Sequence, residues 1–153
     1  MTDPGPKARL LADLAERVAA AGPQGRGALW RLGEPERQLD ANLVRLPAGA
    51  VVGEHRENDL DVLLLVVAGG GTLLDGPQAL ELGAGALAWL PRGSRRSLRA
   101  GSEGLVYLTA HRRRPGMAVG GVRTAQLCPG CGAVPEGAAP AYCSRCGGRL
   151  SAG

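Results

Sequence analysis

Four cysteines constrain this 153-residue chain more than any other feature. Cys128 and Cys131 are separated by two residues, as are Cys143 and Cys146, and eleven residues lie between the two pairs. Each second cysteine is followed by a glycine, Gly132 and Gly147. Two thiolates three residues apart in a tight turn face one point, and N–H groups of the turn stabilise the sulfur charge. The glycine permits the positive φ that such a knuckle needs. Two knuckles supply four sulfurs, which close a tetrahedral zinc site and leave no position for substrate. The predicted site is therefore structural. Disulfides and a redox CxxC are the alternatives. A reducing cytosol argues against the first, and the doubled, glycine-followed pattern argues against the second. Iron shares the ligand set.

The stretch 127–150 resembles the short zinc ribbons appended to many bacterial and archaeal proteins. The resemblance implies zinc and says little about function, because such ribbons contact protein or nucleic acid or staple a terminus. A module this short buries too little apolar surface to fold alone, so metal ligation has to supply its stability.

The rest of the chain has room for one ordinary domain. Apolar residues make up 44%, and the aromatic residues are only Trp30, Trp89, Tyr107 and Tyr142. The core is therefore predicted to be Leu, Val and Ala. The 25 Gly and 11 Pro argue for short elements and many turns. Residues 1–27 read as a tail and helix. Within 7–21, Leu10, Leu11, Leu14, Val18 and Ala21 form one stripe, which Gly22-Pro23 ends. This helix is expected to pack outside the barrel or to serve a dimer contact.

Residues 28–114 change to a strand pattern. Strands are expected near 28–32, 37–46, 61–68, 71–75, 78–82, 86–90, 95–99 and 104–111, with breaks at the glycine and proline clusters between them. Val62–Val67 is apolar on both faces, as a strand between two packed sheets would be. A linker at 115–126 leads to the ribbon. The opening residues carry no sustained apolar run, and no segment approaches the roughly 18 apolar residues that span a bilayer. A cytoplasmic protein without membrane contact is the expectation.

Two segments of the β region resemble the paired motifs of the cupin family, small jelly-roll barrels that often hold a metal. In the second, five residues separate Gly85 from Pro91, and Gly93 follows after one more. The family has His three residues on, and this chain has Arg96; the later Asn position is Ala100. The first runs from Gly49 through His55, Glu57 and Asp61 to Ala68-Gly69. There the family has His-x-His and then Glu. The resemblance covers about residues 28–112 and implies a mainly β jelly-roll barrel. Read as one extended strand, positions 55, 57, 59 and 61 share a face.

The ligand positions divide two readings. His55, Glu57 and Asp61 could hold a second divalent metal, as in a cupin enzyme of dioxygenase or isomerase type. Arg96 stays protonated, cannot ligate, and repels a cation. The alternative is an internal ion pair of Arg96 with Glu57 or Asp61 in a metal-free barrel. The latter is preferred here, so the chain leans away from catalysis. On the last strand Tyr107, Thr109 and His111 alternate onto one face. With Trp89 and Arg96 they would surround a small anionic ligand, unless His111 sits exposed at the strand end. The sequence has no nucleophile elbow, P-loop or dinucleotide fingerprint.

Charge is uneven. Residues 28–83 carry a net −5 and residues 84–153 a net +8, with Arg92, Arg95, Arg96, Arg99 and Arg112–Arg114 clustered. The plain reading is two solvated faces of one barrel; the sharper is a phosphate or carboxylate surface. Nucleic acid is not favoured, because stacking aromatics are nearly absent. A homodimer through the barrel is expected.

Overall fold

Two glycine clusters decide how the β region is built. In the computed structural model, which describes residues 3–113, 128, 142–143 and 146–150, they bend strands rather than end them. Seven strands form: β1 (Gly27–Arg31), β2 (Leu39–Leu46), β3 (Val51–Arg56), β4 (Val62–Asp75), β5 (Gln78–Gly83), β6 (Leu87–Leu90) and β7 (Arg95–Arg112). The expected pairs 61–68 with 71–75, and 95–99 with 104–111, are each one long strand, β4 and β7. A Cβ on Gly69 would stand 2.2 Å from the Gly104 carbonyl oxygen, and one on Gly71 would stand 2.2 Å from that of Arg99. Only glycine lets the two backbones approach this closely as they turn the corner. Bulges fall at the same places, between Val66 and Ala68 and between Gly69 and Gly71.

The corner divides the strands into two antiparallel layers. The first half of β4 pairs with the second half of β7, with β2 then β1 on one side and β6 on the other. The second half of β4 pairs with the first half of β7, flanked by β5 and β3. Between the layers lies an aliphatic core that includes Val44, Leu46, Val62, Leu64, Val66, Leu73, Leu98 and Leu105, with Tyr107 among them. Each such side chain contributes about 1.5–3 kcal/mol by leaving water. Strand β3 is absent from the sequence expectation.

The helix α1 (Leu14–Ala21) is half the expected length. Asp13 is its N-cap and accepts the Glu16 N–H at 3.1 Å, which fixes the start there. Leu10 is left 88% exposed. Among the described residues no helix is long and apolar enough to cross a membrane. The linker 115–126, Arg114, Cys131 and Gly132 lie outside the described residues.

Candidate functional site

Two groups of chemistry-bearing side chains stand apart in the fold, one buried and one partly buried. Cys128, Cys143 and Cys146 form the first, all almost fully buried. Their sulfurs lie within 4.8 Å of one another. Among the described residues this is the one set of three or more His, Cys, Asp or Glu side chains that converges so closely. Cys128 Sγ and Cys146 Sγ are 3.6 Å apart. A tetrahedral zinc site with bonds of about 2.3 Å has sulfur–sulfur edges of about 3.8 Å, so the spacing suits a metal ion. None of the three is in a disulfide.

The described residues around the second cysteine pair carry one feature expected of a knuckle, a positive φ at Gly147. Gly147 has φ 68° and donates its N–H to the Cys143 carbonyl at 2.8 Å. The Cys143 N–H returns to the Gly148 carbonyl at 2.8 Å, and the Gly148 N–H reaches Cys146 Sγ at 3.4 Å. An N–H aimed at sulfur favours the thiolate, the form that binds metal. The nearby Tyr107 phenol is pushed well above its ordinary range, first by burial and then by Cys143 and Cys146.

The second group lies at the end of the barrel where β3 stops and β7 starts. His55 stands opposite Arg96 in register. Arg96 is buried, with Nη1 3.2 Å from Ser94 Oγ and 3.5 Å from the Pro91 carbonyl. The His55 pKa is lowered from 6.5, chiefly by burial. A hydrogen bond to the Gly53 carbonyl opposes the shift, Arg96 adds to it and Glu57 counters. A carbonyl only accepts, so the neutral ring carries its proton on Nδ1, 3.0 Å from that oxygen, and Nε2 is left as an acceptor.

The shared face expected for positions 55, 57, 59 and 61 does not form. Strand β3 ends at Arg56, and the Glu57 carboxylate accepts the Asp59 N–H at 2.9 Å, which turns the chain. Glu57 is buried and Asp59 exposed. Asp61 is held by the Pro91–Gly93 turn: it accepts the Arg92 N–H at 2.9 Å, with the Arg92 guanidinium 3.9 Å away. His55, Glu57 and Asp61 therefore do not gather as the cysteines do. Of the two ion-pair partners considered for Arg96, Asp61 is engaged by Arg92, while Glu57 stays close enough to His55 to act on it with Arg96.

His111 is buried, against the expectation that it sits exposed at the strand end, and its Nδ1 donates to the Arg112 carbonyl at 2.7 Å. Trp89 does not join it. Val62 and Leu64 pair with Leu90 and Ala88 on the inner face, which turns Trp89 outward at 59% exposed. Asp40 and Asn42 are buried polar residues that sequence reading missed. Asp40 lies opposite His111 and Asn42 opposite Thr109. Their signal was the alternation of Asp40, Asn42, Val44 and Leu46 along β2, all four of which face inward. Arg37 Nε holds Asp40 at 2.9 Å.

Solved structures of the same architecture decide the fold. A cupin-2 domain protein from Shewanella frigidimarina superposes with a TM-score of 0.55 at 16% identity, covering 67% of this chain and 95% of that one. This is a cupin fold. The cupin domain of Schizosaccharomyces pombe Cnp3 matches with a TM-score of 0.50 at 19% identity over 56% of this chain, which spans 59% of that domain's length. A cupin-superfamily sugar phosphate isomerase from Silicibacter pomeroyi matches with a TM-score of 0.53 at 27% identity, covering 62% of this chain and 64% of that one. No protein-family model matches the sequence, and no curated protein matches it.

Proposed function

We propose that the chain is a zinc-binding cupin protein that takes up a small anionic ligand and is not itself an enzyme. The observation that carries this reading is the contrast in convergence. Three buried thiols gather within 4.8 Å, and no set of barrel donors does so among the described residues. A thiolate set closed by Cys131 suits structural zinc. In the barrel, Arg96 supplies a fixed cation where a metal would otherwise stand, and with neutral His55 it suits a phosphate or carboxylate. Metal analysis tests the reading. One zinc per chain is expected, kept in His55→Ala and lost in Cys143→Ser. A second equivalent lost with His55→Ala would favour a metal-dependent enzyme instead. Calorimetric titration with inorganic phosphate and with citrate should give binding that Arg96→Gln abolishes.

A homodimer through the barrel is part of the proposal. Trp89, Leu63 and Ala110 lie side by side on the outer face of the first layer, next to Leu87, Leu65 and Leu108. Leu63, Leu87 and Trp89 are exposed there, and an exposed apolar patch is a surface that a second copy would cover. Sedimentation should find a dimer that Trp89→Glu converts to monomer.

A further inference from the structure

The two layers of the barrel are unequal at one edge. In the first layer β1 continues beyond β2, whereas the second layer stops at β3, which pairs with β7. Among the described residues, no strand lies across from the inner side of β1. Ala28, opposite Val44 in register, faces that gap, and it packs against the cysteine cluster.

The knuckle fits the place closely. A Cβ on Gly147 would stand 2.1 Å from Val44 Cγ1 and 3.6 Å from Leu46 Cδ2, so the backbone itself lies against the core side of β2. Gly27 opens β1 with φ 70°, and a Cβ there would be 3.6 Å from Gly148 Cα. Tyr142 packs against the main core and Leu150 against the cysteines, and Tyr142 and Arg149 bridge to each other. Gly147 thus meets two demands at once. It supplies the positive φ of the knuckle and leaves the room that Val44 requires.

We propose that the metal held by the cysteines locks Tyr142, Cys143 and residues 146–150 onto this edge of the barrel, so that metal occupancy sets the stability of the barrel. The inference rests on the reading that Cys128, Cys143 and Cys146 hold zinc. It adds that the site belongs to the barrel rather than to an appended module. Without metal, three thiols crowded together gain nothing to offset the ordering of their turns, and the seat over Val44, Leu46 and Tyr107 opens to water.

The barrel reports on itself, because both tryptophans lie in its strands, Trp30 in β1 and Trp89 in β6. The test uses the full chain, loaded with zinc and then stripped by a chelator, with metal content measured alongside. The tryptophan-detected midpoint should fall by about 10 °C or more and return on adding zinc. Amide exchange should rise in β1 and β2 and stay protected in β5 and β6. In Val44→Ala the chain should keep its zinc while the zinc-dependent part of the shift shrinks. If zinc binds and leaves with neither the midpoint nor β1–β2 protection moving, the coupling is overturned and the zinc site stands. If no zinc binds, both readings fall.

Discussion

The cysteine cluster is buried and the polar end of the barrel partly so, and both hold side chains of metal-binding type, yet only one forms a converged site among the described residues. Cys143 and Cys146 are three residues apart and followed by Gly147 at φ 68°, and Cys128 joins them from eighteen residues before Cys146. His55, Glu57, Asp61 and Arg96 come from a strand end, a loop and the start of another strand. Hydrogen bonds there also run to local groups: His55 to the Gly53 carbonyl, Glu57 to the Asp59 N–H, Asp61 to the Arg92 N–H and Arg96 to Ser94. Spacing within a turn carries over into geometry. Spacing along a strand does so only while the strand lasts, and β3 ends one residue before Glu57.

The contrast can be attacked at its strongest point first. Cys146→Ser should abolish metal binding and cost roughly 3 kcal/mol or more of unfolding free energy, read by denaturant titration beside metal analysis. Gly147→Ala should cost less, about 2–3 kcal/mol, because the new methyl meets Val44 and the residue has φ 68°. If the variant is as stable as the parent, the knuckle does not sit on β2 as described.

At the barrel end the expected effects are electrostatic and smaller. Arg96→Gln should raise the His55 pKa, because a repelling cation is gone, and Glu57→Gln should lower it further. A proton NMR titration of the His55 ring separates the two. The same lowered pKa links stability to pH. Above 6.5 the ring is neutral whether folded or unfolded; as pH falls below 6.5 the unfolded chain takes up the proton first, so stability falls toward the lower folded pKa. The fall should be reduced in His55→Gln, measured by unfolding between pH 7.5 and pH 5, a window of about 1 unit or more on either side of the unperturbed value. The smallest effect is expected for Trp89→Ser, within about 0.5 kcal/mol in the monomer, because the ring lies outside the core.

Much of this was legible in the sequence. The aliphatic core, the shared face of Tyr107 and Thr109 and the cupin-like turn at Pro91–Gly93 all follow from local pattern. The errors share a cause. Gly69–Gly71 and Gly101 read as strand ends because glycine in a sequence marks either a break or a close crossing, and only the partner backbone distinguishes them. Trp89 read as lining because its face depends on the register of β6 against β4. Asp40 and Asn42 were passed over because polar residues alternating with Val and Leu look like a solvated face until the opposing layer is in place.

The sequence by itself determined the cysteine knuckle, the class of fold and the aliphatic core, since each depends on contacts within a few residues or on period-two alternation. Tertiary structure alone decided where those pieces meet. It bent β4 and β7 through glycine corners, left β1 without a facing strand among the described residues, and set Gly147 against Val44. Those outcomes depend on pairings between residues far apart in the chain, and no local pattern encodes which distant backbone will arrive.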